Sequence, residues 1–217
     1  MTFQLPNDTQ RLAIIGRTGS GKTQAAVWHL SMRSFDRMPW IVFNFKGDAL
    51  INDIPGTKTI TLDDDIPSKP GIYIVDVAPD EAKDADEFLL RVWKKERTGL
   101  YIDEGYMLSG LPGFRRCLTQ GRSKQIPIIL LSQRPVWMDR FAWSEADYFQ
   151  IFNVAIADDK KTIASYVGGK VLGRLTDYHS HWYDVAQDKT YRLKPVPSRN
   201  ELLASFKQRL NIKRNLI

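Results

Sequence analysis

The sequence predicts an α/β fold: a mostly parallel sheet with flanking helices, followed by a C-terminal hairpin and a basic terminal helix. Three observations predict it. Short apolar segments of strand length alternate with segments whose apolar residues recur at helical spacing, the order that parallel strands require. The first apolar segment runs through a glycine-rich turn directly into a helical one. No repeat, low-complexity tract or Gly/Ser linker interrupts the 217 residues. One domain over 1–217 is therefore expected, with a core at about 11–178 and the hairpin and helix at about 179–217.

Each element has its own signal. Leu12–Ile15 is a short apolar strand ending at Gly16, and Lys22–Met32 follows as a helix. Trp40–Phe45 is the next strand, and Gly71–Val77, bounded by Pro70 and Pro79, is the third. From Asp80 the period changes: Ala82, Ala85, Phe88, Leu89, Val92 and Trp93 fall on one helical face. Strands at Leu100–Ile102 and Ile126–Leu131 flank a helix near Phe114–Gln120. A strand over Tyr148–Ala155 and a helix over Asp159–Val167 come next. His181–Val185 and Thr190–Leu193 pair as a hairpin, and Glu201–Leu210 is the final amphipathic helix.

Composition excludes several classes. With 43% hydrophobic and 26% charged residues, the chain has the makeup of a folded domain rather than a disordered one. The longest apolar run, Ile126–Leu131, contains Pro127 and is too short to cross a bilayer. The N-terminal residues lack a basic region followed by an apolar stretch, so a soluble cytoplasmic protein is expected. One cysteine, Cys117, excludes an intramolecular disulfide and a Cys-rich zinc site, and it reads as a small core residue. His29, His179 and His181 show no metal-ligand spacing and read as structural. The net charge of +6 is concentrated at the end: Arg199, Lys207, Arg209, Lys213 and Arg214 face one acid, Glu201. Such a tail is suited either to a polyanion or to a solvated helix end.

The chemistry is carried by three segments. Gly16-Arg17-Thr18-Gly19-Ser20-Gly21-Lys22-Thr23 is a complete G-x-x-x-x-G-K-T between a strand and a helix. Its glycines let backbone N–H groups surround phosphates at the positive end of a helix, while Lys22 is suited to the β- and γ-phosphates and the Thr23 hydroxyl to Mg²⁺. The second segment is Gly99–Glu104, an apolar strand that ends in two acids. Asp103 is placed to complete the Mg²⁺ shell, and Glu104 to accept a proton from the attacking water. By contrast, Asp63-Asp64-Asp65 reads as a solvent-facing run. The third is Gly121–Pro135, in which Arg122 precedes a buried strand that ends in Gln133. A polar side chain at that carboxyl edge can bond the γ-phosphate or orient water.

The order of these motifs resembles the FtsK–HerA superfamily of P-loop DNA translocases. Ile41–Asp48 is similar to that family's second strand and turn, although Asn44 stands where an acid is frequent; Lys46 and Asp48 read either as turn residues or as residues with a role at the nucleotide. Arg122 and the run Ser132-Gln133-Arg134-Pro135 resemble the family's Arg-x-x-Gly-Ile and Thr-Gln-Arg-Pro stretch, with Ser132 in place of Thr. The likeness spans residues 11 to about 178. A solitary core of this size is most similar to the genome-packaging ATPases of tailless, internal-membrane phages of the PRD1 type.

The resemblance implies a RecA-like P-loop NTPase core that uses ATP and Mg²⁺ to move double-stranded DNA. Partners implied are other copies in a homo-oligomeric ring, a hexamer being favoured, and proteins of a capsid or portal vertex. The implied location is the host cytoplasm, or the virion at that vertex. Catalytic roles fall to Glu104, Gln133 as sensor and Arg122 as a finger reaching the neighbouring subunit, with Arg115, Arg116 and Arg134 as alternatives. Trp137 and Trp143 are considered for base stacking. A conjugation or filamentous-phage export motor is the alternative within the superfamily; a slow nucleotide-dependent switch that moves nothing is the alternative outside it.

Overall fold

A computed structural model of the chain describes residues 4–214, with side chains through residue 210. In chain order the elements are β1 (Arg11–Ile15), α1 (Lys22–Ser31), β2 (Pro39–Asn44), α2 (Ala49–Asn52), β3 (Lys58–Ile60), β4 (Gly71–Asp76), α3 (Ala82–Lys95) and β5 (Gly99–Ile102). They continue with α4 (Pro112–Gln120), β6 (Ile128–Ser132), α5 (Arg140–Ser144), β7 (Tyr148–Ile151), α6 (Ala157–Val167), β8 (Ser180–Asp184), β9 (Lys189–Leu193) and α7 (Arg199–Arg214). The described strands form one nine-stranded sheet in the order β3-β4-β2-β5-β6-β1-β7-β8-β9. The strands β3 through β7 in that order run parallel; β8 and β9 are antiparallel additions at the β7 edge.

Apolar residues cover both faces of the central strands, which is why β1, β2, β5 and β6 read as continuous apolar runs rather than alternating ones. Ala13, Ile15, Phe43, Ile102 and Leu130 pack on one side with Phe88, Leu89, Phe114 and Cys117 of α3 and α4. Leu12, Ile14, Val42, Tyr101, Ile129 and Leu131 face the other way, toward Ala25, Ala26 and Leu30 of α1 and Leu202 and Phe206 of α7. The anticipated core role of Cys117 holds, and burial pushes its thiol up to about 12. His29 is likewise interior, hydrogen-bonded to Gln150 Oε1 at 2.8 Å and stacked near Trp182, with burial lowering its pKa to about 3.

The architecture departs from expectation in small, explicable ways. The strand expected third in the chain is fourth, because β3 precedes it: three residues at a sheet edge, with Lys58 and Thr59 exposed and no apolar pattern. Pro127 has no N–H for a ladder, so β6 starts at Ile128 rather than Ile126. β7 stops at Ile151 instead of running to Ala155. The single-turn helices α2 and α5 lack amphipathic period and are marked only by caps: Asp48 accepts from Leu50 N at 2.8 Å, and Asp139 from Phe141 N at 2.9 Å. Trp143 is buried, stacked near Phe149 and Tyr166, so the base-stacking role considered for it is corrected to a core role.

The basic tail is in part structural. Arg199 pairs with Asp53 and donates to Ala49 O at 3.1 Å. Arg209 donates to Arg33 O at 2.9 Å and lies 4.1 Å above the Phe35 ring. Two of the five tail cations thus fasten α7 to the body, while Lys207 is exposed and the side chains of Lys213 and Arg214 lie outside the described residues. The helix buries Leu202 and Phe206 against the body, and Phe206 is fully buried beside Phe35. Phe206→Ala should cost about 3 kcal/mol in urea unfolding, the usual cost of truncating a core phenylalanine. An unchanged midpoint would show that α7 docks independently of the core.

Candidate active site

The glycine loop, Gly16–Gly21, lies between β1 and α1 and is pinned to the strands on either side. Gly16 N donates to Ser132 O at 3.3 Å at the end of β6, and Arg17 N to Asn153 O at 3.1 Å just past β7. Two positions need glycine for different reasons. Gly21, the N-cap of α1, has φ 96°, in the left-handed region. A Cβ at Gly16 would lie 2.6 Å from that of Phe152 and 2.7 Å from Ser20 Oγ, so the loop closes on itself only without a side chain. Lys22 follows in the first turn of α1, 7% exposed, its Nζ donating to Arg17 O at 3.3 Å. Burial lowers the pKa of this ammonium, and the charge of Glu104 acts against that shift. Thr23 is the next residue of the same turn.

β5 delivers Asp103 and Glu104 to the same edge. Both are buried, at 2% and 1% exposure. Glu104 has φ 57° and ψ 57°, left-handed geometry that a non-glycine residue adopts at a cost. Its Oε1 pairs with Lys46, which projects from the turn after β2, and its Oε2 accepts from Gln133 N at 3.2 Å. Gln133 in turn accepts a hydrogen bond from Thr18 Oγ1 at 2.7 Å. This residue therefore bridges the glycine loop and the Asp-Glu pair, because β6 lies between β1 and β5.

The donor set fits a nucleotide with its divalent cation. Asp103 Oδ2 is buried without a hydrogen-bond partner, and so is Ser20 Oγ in the loop. An orphaned carboxylate oxygen beside a phosphate loop is suited to a cation's shell. Burial, reinforced by the neighbouring charge of Glu104, raises the Asp103 carboxyl to about 7.

The fourth candidate lies elsewhere. Arg122 sits before β6 at the amino edge of the sheet and pairs with Asp147, whose Oδ2 also accepts from Arg11 N at 2.8 Å. Within its own chain it does not join the glycine loop. The three other arginines are also engaged: Arg115 donates to Asp139 at 2.7 Å, Arg116 lies over Trp93, and Arg134 sits 3.3 Å from Asp159 and 3.9 Å from the Trp137 ring centroid. Lys46, which the sequence leaves open between a turn residue and a nucleotide role, is a member of the site. Its signal is its place, immediately beyond an apolar strand, but only the strand order shows that β2 neighbours β5. Asn44, where an acid is frequent in the resembled family, holds the turn after β2 in shape. Its Oδ1 accepts from Asp48 N at 2.9 Å, and its Nδ2 donates to Asn52 Oδ1 at 3.0 Å.

Comparison with known proteins supplies the family. The chain is 43% identical to the DNA packaging ATPase P9 of Enterobacteria phage PRD1, over 95% of its own length and 96% of the relative's. It belongs to that packaging-ATPase family. The resemblance read from the motifs is thus borne out. No family model matches the chain. Among solved structures, the genome packaging NTPase B204 of Sulfolobus turreted icosahedral virus 2, in complex with AMPPCP, superposes with a TM-score of 0.70 at 21% identity, covering 88% of this chain and all of that one. VirB4 of Thermoanaerobacter pseudethanolicus superposes at 0.71 with 10% identity, covering 92% and 93% of the two chains. At those identities the two structures support the fold alone, and it is that of the P-loop NTPases.

The raised Asp103 pKa has a stability consequence. Between about pH 4 and 7 the folded protein holds a proton that the unfolded chain has released, so this group's contribution to stability falls as pH rises through that window. Asp103→Asn removes the buried charge. The nucleotide-free variant should melt above wild type at pH 8 by a few degrees, at about 2–4 °C per kcal/mol for a chain of this size. The difference should close toward pH 5; a variant that melts lower at pH 8 would make the carboxylate a structural member of the site.

Proposed function

We propose that this chain is an ATPase whose hydrolysis drives double-stranded DNA into a viral capsid. The observation that carries the reading is the meeting of the glycine loop, Asp103-Glu104 and Gln133 at one sheet edge, in a chain 43% identical to a named DNA packaging ATPase. The phosphates of ATP would lie along Gly16–Thr23, with Lys22 contacting the β- and γ-oxygens through charge-assisted hydrogen bonds. Thr23 and Asp103 are the residues to hold Mg²⁺, which when bound neutralises charge on the phosphate oxygens.

In hydrolysis, a water oxygen bonds to the γ-phosphorus as the bond to the β–γ bridging oxygen breaks, and the water's proton passes to Glu104. Gln133, fixed by Thr18 and adjacent to Glu104, orients that water. The chain acts as a single ATPase domain over 1–217, in a ring of identical copies for which a hexamer is the favoured number. It docks at a capsid vertex and works in the host cytoplasm or within the virion. DNA is gripped mainly through its phosphates, since a packaging motor must accept any sequence, and binding weakens with salt.

Duplex DNA should stimulate ATP turnover by the purified protein, and Lys22→Ala should abolish that turnover with the fold intact. Glu104→Gln should retain ATP binding and lose ~10²-fold or more in turnover, the scale of a missing general base. Absence of stimulation by any duplex would leave a nucleotide switch rather than a motor.

Arg122, remote from its own loop, is assigned to the neighbour's nucleotide. A guanidinium acting across an interface supplies about 10³–10⁵ in rate where such fingers are established. Arg122→Ala subunits should be nearly inactive alone and regain hydrolysis when mixed with Lys22→Ala subunits. If mixed rings form and recover nothing, the Arg122–Asp147 pair is structural.

A further inference from the structure

Beside the glycine loop opens a groove of about 330 Å³ lined by Gly21, Gln24, Phe152, Tyr178, Pro195 and Val196. It continues directly from the phosphate cradle. The Tyr178 ring lies over Gly21, its Cδ1 3.3 Å from where a Cβ of that residue would stand. Tyr178 is 65% exposed, the largest exposure among the large hydrophobic and aromatic side chains of the described residues. It projects from a left-handed backbone step, with φ 53° at Asp177 and 59° at Tyr178. An aromatic ring held outward at the rim of a cavity has not been placed there by core packing.

Both walls are anchored. On one side, Asn153 Nδ2 donates to Leu175 O at 2.6 Å and Leu175 N donates to Asn153 Oδ1 at 3.0 Å, which fixes the segment leading to Tyr178. On the other, Gln24 Nε2 donates to Pro197 O at 2.6 Å, which ties the Pro195–Val196 segment to α1. Phe152, buried beneath the loop, forms the base of the groove. The result is a slot with an aromatic face, an aliphatic wall and an opening toward the phosphate site.

We propose that this groove receives the nucleobase of the bound nucleotide, stacked on Tyr178 and bounded by Pro195 and Val196. The proposal rests on the ATPase reading and adds a selectivity to it. The polar side chains at the rim are only partly committed: Gln24 Nε2 gives one N–H to Pro197 O, leaving a second N–H and Oε1, and Ser198 Oγ donates to Glu201 Oε2 at 2.6 Å. A site rejects a near-isostere strongly only when it offers it committed hydrogen-bond partners. Stacking against an aromatic and an aliphatic surface carries no base identity, and the Gln24 amide offers both a donor and an acceptor, so adenine and guanine nucleotides are accepted alike.

Equilibrium titration of the full chain with ATP, GTP and inorganic tripolyphosphate tests this. Wild type should bind ATP and GTP with similar affinity. Tyr178→Ala should weaken both by about tenfold, in the range measured when a stacking aromatic is removed, and leave tripolyphosphate unchanged. Tyr178→Trp should restore the purine nucleotides. The side chain is exposed, so the alanine variant should keep the wild-type melting temperature. Unaltered ATP affinity in Tyr178→Ala would overturn the proposal, as would tighter binding, which would make the ring a cover over the loop. Equal losses of ATP and tripolyphosphate would overturn it too, since they would place Tyr178 at the phosphates. If wild type binds neither ATP nor tripolyphosphate in a Lys22-dependent way, the ATPase reading itself falls, and the slot with it.

Discussion

Two adjacent carboxylates buried at the end of one strand govern the layout of this molecule. Removing Asp103 and Glu104 from water carries a heavy penalty unless opposite charge and hydrogen-bond donors arrive with them. Lys46 comes from the turn after β2, Lys22 from the start of α1, and an N–H from Gln133 after β6. These groups are distant in the chain and meet because β2 and β6 flank β5, with β1 one strand further. Glu104 adopts a left-handed backbone at that meeting point, and Asp103 is left with an unpartnered oxygen. The site is therefore only partly compensated by the protein's own groups, in the manner expected of a place that a cation completes.

The two edges of the sheet divide the work. At the carboxyl edge, polar groups converge beside the glycine loop; at the amino edge, they tie elements to one another. Arg11 donates to Glu145 O at 3.3 Å, Arg33 to Asn7 O at 2.7 Å, and Asp147 receives both Arg11 N and Arg122. The five residues of β6 separate the edges by roughly 16 Å at about 3.3 Å per residue. That distance exceeds the reach of an arginine side chain, so Arg122 does not reach the glycine loop of its own chain and is held by Asp147 instead.

What was legible in the sequence was local. Glycine spacing before Lys22, the apolar run into Asp103-Glu104 and the strand before Gln133 each declare themselves within a dozen residues, and α3 shows its face by period. What was not legible depends on neighbours in space. Lys46 stays open between a turn residue and a role at the nucleotide until β2 is known to lie beside β5. Arg199 and Arg209 look like a free basic tail until α7 is docked and their partners Asp53 and Asp36 appear. Tyr178 has no periodic pattern around it, and β3 is too short and exposed to have one.

The Ser-Gln-Arg-Pro run shows how one short motif can encode several contacts at once. Ser132 Oγ accepts from Arg134 N at 3.1 Å, closing the chain as it leaves β6. Gln133 turns toward Thr18 and Glu104, whereas Arg134 turns toward Asp159 of α6 and the face of Trp137. Pro135 then opens a short 3₁₀ turn through Trp137. Asp159 is itself buried and also accepts from Val136 N at 3.2 Å, so α6 grips the chain just beyond Gln133. The arginine therefore acts on the site at one remove: by holding the strand's exit against α6, it fixes the backbone whose N–H meets Glu104 and whose side chain meets the glycine loop.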